Sequence, residues 1–216
     1  MELAGVQIGA ADPSAAAEAY RVLLGVAPSA AGGLARFVLG RGVVDIVGGA
    51  PGPQAVSFIA APGDVPPPSV HGVAVRVIDP PAAAPAVDAA LPAIDHVVVQ
   101  TADAERAIAT WRDGLGLRLA FDRAFPERGL RLIFFRSGGM TLEFATPHPA
   151  PDARDQPDRL YGVSYRVPDL EARRDRLLRA GVGVSPIRPG NKSGTVVASV
   201  RSGTAGVPTL LLQVVG

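Results

Sequence analysis

Three histidines and no cysteine leave imidazole and carboxylate as the groups from which catalysis or metal binding can be built. Thiolate nucleophiles, disulfides, iron–sulfur clusters and cysteine zinc sites are excluded. The candidates lie within apolar, strand-like runs: His96 in IDHVVVQ, Glu143 in MTLEFA and Asp45 in VVDIV. Strand alternation places His96 on one face with Val98 and Gln100, and Glu143 on one face with Thr141 and Ala145. A neutral imidazole and a carboxylate can ligate zinc, iron, manganese or nickel, can work as an acid–base dyad, or can close on each other as a structural hydrogen bond. Two protein ligands alone are too few to retain a metal. His71 starts a strand and reads as a surface edge residue, and His148 lies in a Pro-rich loop and reads as solvated. Asp45 either faces a cavity or is a charge that protects an edge strand. The segment PGNKSG at 189–194, with Arg188, Lys192 and Arg201, is either a solvated turn or a cationic mouth that orients an anionic ligand. The P-loop, G-x-S-x-G, HExxH and dinucleotide signatures do not occur in the chain.

The elements that must position these residues repeat along the 216 residues. Segments 3–12 (LAGVQIGAAD), 94–103 (IDHVVVQTAD) and 160–169 (LYGVSYRVPD) each run from alternating β-branched residues through a small turn to an Asp. That Asp is a helix N-cap by type and position, because its carboxylate accepts from the orphan amides of the first turn. After Asp103 the apolar stripe is Ile108, Trp111 and Leu115; after Asp12 it is Tyr20 and Leu24; after Asp169 it is Leu170, Leu177 and Leu178. Strand-like runs follow at 117–121, 131–136 and 140–145 in the middle repeat, and at 182–187, 195–200 and 209–214 in the last. The first repeat is shorter, with strands at 35–39 and 43–47, and two helix-less strands at 55–60 and 72–78 stand where a fourth unit is expected. The reading is therefore a shorter domain over 1–78, a Pro/Ala-rich linker over 79–93 and a two-module domain over 94–216. Basic and acidic side chains, 21 against 20, cancel to a net charge of +1, which argues against nucleic acid. The 25 Gly and 21 Pro break every apolar run short of a membrane span, and the N-terminus lacks a secretory pattern, so a cytoplasmic location is expected.

The βαβββ order resembles the modules of the glyoxalase, bleomycin-resistance and extradiol-dioxygenase (vicinal oxygen chelate) superfamily. The segments IDHVVVQTAD, ATWRDGLGL, GGMTLEFA, YGVSYRVPDL and GVPTLLLQ carry the resemblance, and LGRGVVDIV carries it more loosely in the first half. It implies an α+β fold in which paired βαβββ modules form curved mixed sheets, one full two-module domain with a shorter degenerate one before it. It also implies a concave ligand pocket and a divalent metal held by His and Glu from each module. Carried over residue by residue, His96 and Glu143 fill the slots of one module, while Gly162 and Leu210 replace the pair of the partner module. The first half offers Gly5 and Asp45. The resemblance thus implies at most a weakly held divalent metal on His96 and Glu143, which are also the catalytic candidates. The expected pocket is lined by Val98, Gln100, Phe134, Thr141, Gly162, Ser164 and Arg166, with Leu210, Leu212, Lys192 and Arg201 completing it, and Gly162 and Leu210 leave that side roomier. The implied activity is a lyase, isomerase or ring-opening reaction on a small oxygenated molecule; the alternative is a non-catalytic binding or sequestration protein. A small-molecule ligand is the expected partner, and a homodimer stays open.

Overall fold

The computed structural model describes residues 1–81 and 90–215. The chain runs β1 (Glu2–Ala10), α1 (Pro13–Leu24), β2 (Ser29–Ala31), β3 (Leu34–Val38), β4 (Val43–Gly48), β5 (Gly52–Ile59), β6 (Ser69–Val70) and β7 (Val73–Val77). A second series follows: β8 (Ala93–Gln100), α2 (Ala104–Ile108), β9 (Arg118–Phe125), β10 (Leu130–Ser137) and β11 (Met140–Pro147). Then come β12 (Arg159–Arg166), α3 (Leu170–Arg179), β13 (Arg188–Pro189), β14 (Thr195–Val200) and β15 (Thr209–Val214). The first series forms a seven-stranded sheet, β2-β3-β4-β1-β5-β7-β6, and the second an eight-stranded sheet, β13-β14-β15-β12-β8-β11-β10-β9. In both, the first strand of a module pairs in parallel with its last, β1 with β4, β8 with β11 and β12 with β15. The two modules of each sheet meet along an antiparallel seam, β1 with β5 and β8 with β12. This is the α+β architecture of paired βαβββ modules, with a shorter first sheet.

Each helix starts where a carboxylate satisfies its first turn. Asp12, Asp103 and Asp169 accept from the amides of Ala15, Arg106 and Ala172 at 2.9, 3.0 and 2.9 Å. Gly25 ends α1 in the left-handed conformation, φ 67°, which costs glycine no Cβ clash. The three helices lie between the sheets. Tyr20 of α1 donates to the Thr204 carbonyl at 3.1 Å, and Arg173 of α3 donates to the Leu23 carbonyl at 3.3 Å. Trp111, fully buried, stands 5.5 Å from Phe144 of its own sheet and 6.5 Å from Phe58 of the other. Phe58 lies on β5, after which the first sheet has no helix of its own, so Trp111 covers that surface. Burial of such aromatic rings from both sheets makes one continuous core.

Several local expectations are corrected. The helix after Asp103 is α-helical for five residues and then widens into a π turn over Ala109–Gly114. Leu178 is 42% exposed instead of facing inward, because Leu170 and Leu177 already fill the contact face of α3. The strand expected at 182–187 reduces to one bridge at Val184, and pairing resumes only at Arg188–Pro189. Pro186 and Pro189 lack the amide that a continuous ladder needs. Most of the expected linker, 82–89, lies outside the described residues. No helix among those residues is long and apolar enough to cross a membrane.

Candidate functional site

The concave face of the eight-stranded sheet collects the sequence candidates through strand register. His96 stands opposite Thr141 on β11 and opposite Ser164 on β12. One step along, Val98 is flanked by Glu143 and Gly162, and Glu143 by Phe134 on β10. Ser164 and Arg166 pair with Leu210 and Leu212 of β15. The alternate residues Val97, Val99, Leu142, Phe144 and Tyr165 are fully buried against the helices, which fixes the facing of the others.

His96 has a carboxylate beside each ring nitrogen. Its Nδ1 lies 2.9 Å from Asp95 Oδ2, and its Nε2 lies 3.8 Å from Glu143 Oε2. Two neighbouring residues share the concave face because the β8–β12 register skips Asp95, pairing Ser164 with His96 and Tyr165 with Ile94. Arg166 donates to Asp95 Oδ1 at 2.6 Å. Burial alone would raise the Asp95 carboxyl, but the His96 and Arg166 hydrogen bonds outweigh it and hold Asp95 well below the usual carboxylate range. An ionised Asp95 can only accept, so Nδ1 is the donor and Nε2 faces Glu143. Glu143 behaves oppositely. Burial pushes its carboxyl up, and the nearby His96 and Arg128 only partly offset this, while Asp95 adds to the rise. At 3.8 Å the His96–Glu143 contact is too long for a hydrogen bond, so the pair is juxtaposed rather than closed.

The donor set does not fit a resident metal. Among the described residues no group of three His, Cys, Asp or Glu side chains converges. Leu210 offers no donor, and a Cβ at Gly162 would lie 2.6 Å from the Pro208 carbonyl oxygen. That slot is closed by backbone rather than roomy, which corrects the expectation for Gly162.

The cationic mouth is corrected as well. Lys192 lies in the loop before β14 and Arg201 follows its last residue, so the six-residue strand separates them by roughly 17–20 Å. Arg188 and Lys192 share one end, while Arg201 sits beside Gly183 at the other, its amide donating to the Gly183 carbonyl at 2.7 Å. His71 is not a free edge residue: it turns with φ 46°, and its carbonyl accepts from the Asp158 amide at 2.7 Å. Asp45 lies on β4, between β3 and β1, so it is not at an edge.

Residues that sequence reading missed lie on the same face. Asp95 is one, since strict alternation assigns it to the opposite side from His96. Arg123 and Phe125 on β9 are others, because the strand continues four residues beyond 121. Phe121 stacks on Phe134 at 4.8 Å between centroids. At the far end of the face, a cavity of about 650 Å³ opens between Gln100, Ala145, Leu130 and Arg159, under Pro151 and Pro157. His96 and Glu143 do not line it.

A strand-helix-three-strand module repeated about a seam, with an imidazole and a carboxylate facing each other on the concave side, defines a class, and sequence comparison agrees. Residues 95–198 match the Glyoxalase/Bleomycin resistance protein/Dioxygenase superfamily, and this part of the chain belongs to that superfamily. Among relatives, the chain is similar to the ethylmalonyl-CoA/methylmalonyl-CoA epimerase of Cereibacter sphaeroides, 29% identical over 97 residues, covering 42% of this chain and 72% of that protein. Among solved structures, methylmalonyl-CoA epimerase from Mycobacterium tuberculosis aligns with a TM-score of 0.47 and 22% identity, over 57% of this chain and 88% of that one. A Streptomyces coelicolor methylmalonyl-CoA epimerase variant in complex with 2-nitronate-propionyl-CoA aligns at 0.46 and 18% identity, over 57% and 97%.

Proposed function

We propose that the chain catalyses an isomerase-type proton transfer at a carbon next to a carbonyl, with Glu143 and His96 as the acid–base pair. The observation that carries this reading is the open 3.8 Å approach of His96 Nε2 to a carboxylate that burial has made more basic. A structural pair would have closed into a hydrogen bond. Glu143 accepts the proton, His96 carries the complementary transfer through Nε2, and Asp95, clamped by Arg166, fixes the ring. Val98 and Phe134 supply the apolar wall that orients the acyl group. The Cereibacter relative is an epimerase by name, which supports the isomerase type and makes acyl-CoA thioesters the first compounds to test. On the same reading, residues 94–216 form the working domain, and 1–78 is a degenerate partner that covers its helices. No step is routed through a metal, since the donor set does not fit one.

The test is exchange of the α-proton of methylmalonyl-CoA in deuterated water, followed by NMR. Wild-type protein is expected to catalyse exchange, and Glu143→Gln and His96→Ala to lower the rate by about 10²–10⁴-fold while remaining folded. Absence of exchange across a panel of acyl thioesters, or full activity in both folded variants, overturns the reading.

A further inference from the structure

The cavity at the end of the concave face is not explained by proton transfer, and its surroundings are chemically specific. Gln100 lies on the same face of β8 as His96, four residues on, so the cavity is about 13 Å from the imidazole along the strand. Ala145, two residues past Glu143 on β11, connects the two. The reacting pair and the cavity therefore lie along the same face of the sheet.

The roof is built rather than draped. Arg106 donates to the carbonyls of Arg154 and Gln156 at 2.7 and 3.1 Å and to Asp158 Oδ1 at 2.8 Å, which pins the segment that carries Pro151 and Pro157. Asp158 is itself buried. Such a roof keeps the space beneath it open for a ligand instead of collapsing into it.

Three guanidiniums border this end, and among the described residues none forms a salt bridge with a carboxylate, although Arg128 acts on Glu143 through space. Arg159 lines the cavity and donates only to the neutral amide oxygen of Gln100, at 2.9 Å. Arg128 precedes Gly129, another lining residue, and lies 5.8 Å from the centroid of Phe125. Arg123 lies 5.2 Å from the same ring. The neighbouring Asp122 is engaged by Arg131 at 2.7 Å. Arg36, Arg106 and Arg166, by contrast, are matched with Asp45, Asp158 and Asp95. Unmatched like charges gathered on one aromatic ring repel until an anion arrives, and guanidinium suits planar oxyanions.

We propose that this cavity binds the far end of an elongated ligand and that this end carries an oxyanion, recognised by Arg128 and Arg159 with Arg123 in support. The proposal rests on the proton-transfer reading for the position of the reacting end, and adds that the substrate is long, spanning about 13 Å, with an anionic terminus. The oxyanion is a carboxylate or a phosphate.

The test uses the full chain and three eight-carbon probes, octanoate, octyl phosphate and octanol, titrated by calorimetry and by amide NMR. The anionic probes are expected to bind about fivefold or more tightly than octanol and to shift the amides of Gln100, Leu130 and Ala145. Preference for octyl phosphate alone assigns a phosphate terminus, and preference for octanoate alone a carboxylate. The double variant Arg128→Ala/Arg159→Ala should abolish the preference. Equal binding of octanol, an unchanged preference in that variant, or shifts confined to other regions overturns the proposal. The variant His96→Ala/Glu143→Gln should retain the preference, so loss of proton exchange with intact anion binding separates the two readings. Loss of anion binding in that variant places the probes at the reacting pair and also overturns the cavity assignment.

Discussion

The two sheets of this protein carry the same strand register and have taken it in opposite directions. Gly5 faces Val43 across β1 and β4 as His96 faces Thr141 across β8 and β11. The position two residues on is Asp45 in the first sheet and Glu143 in the second. Across the seam, Ser57 pairs with Gly5 as Ser164 pairs with His96, and Arg76 pairs with Ser57 as Leu210 pairs with Ser164. Arg36 stands beside Asp45 where Phe134 stands beside Glu143. In the first sheet the carboxylate is fully buried and doubly bonded by Arg36, both contacts at 2.8 Å, with Arg76 at 3.9 Å. In the second, the carboxylate keeps 18% exposure and faces an imidazole it does not bond. A buried charge with a matched partner is a structural element, whereas one left without a counterion stays available to a ligand. The difference lies in two neighbours, arginine in one sheet and phenylalanine and leucine in the other.

The largest expected effect comes from removing that matching. Arg36→Ala leaves Asp45 buried with only the more distant Arg76, and should cost about 3–5 kcal/mol of stability in urea unfolding near neutral pH. Glu143→Gln removes a carboxylate that burial already disfavours, and should change stability by less than about 1 kcal/mol. Equal losses in the two variants would break the comparison, because Glu143 would then be as structural as Asp45.

A smaller effect tests the two empty imidazole positions. Gly5 stands at the equivalent of His96, and Gly162 stands as far before Asp169 as His96 stands before Asp103. At both, an added Cβ would press on a backbone carbonyl oxygen of the neighbouring strand, that of Val43 and of Pro208. Gly162→Ala should therefore destabilise by about 1–3 kcal/mol, and Gly162→His should not create a tight metal site. A stable Gly162→His protein that retains one zinc ion after dialysis would show that the slot is only vacant, not closed.

Much of this was legible in the chain because it rests on local rules. The Asp N-caps, the alternation of His96, Val98 and Gln100 and the stripe through Trp111 each depend on a few adjacent residues, and they place the elements of both sheets. What the sequence does not display is anything that breaks periodicity or joins distant segments. Asp95 reaches His96 only because the strand skips a residue at that point, and alternation puts it on the wrong face. Arg201 and Lys192 look clustered along the chain, but an extended strand of six residues drives them apart. The cavity depends on Arg106 tying down a segment about 50 positions away, a contact with no local signature. Leu178 obeys the helical period and is still exposed, since the period says which residues share a face but not how wide the covered stripe is.

The smallest effect sharpens the comparison most, because it uses the same residue type in both sheets. Ser57 and Ser164 occupy equivalent positions, are 0% and 1% exposed, and among the described residues neither hydroxyl has a hydrogen-bond partner. An unsatisfied buried hydroxyl costs free energy, so replacement by alanine should leave each protein unchanged or more stable by up to about 1 kcal/mol. Stability alone therefore does not separate the two. The neighbours do: Ser57 lies within the Arg36–Asp45–Arg76 row, and Ser164 stands directly across from His96. If the second face receives a substrate, Ser164, buried across from His96, positions the imidazole without touching the substrate, and Ser164→Ala should slow α-proton exchange by about tenfold at unchanged or higher stability. Ser57→Ala should leave exchange unchanged while giving the same stability increment. Loss of stability in Ser164→Ala would mean that the hydroxyl has a structural partner, and full exchange activity in that variant would make the two serines equivalent and reduce the contrast between the sheets to the charge on Glu143.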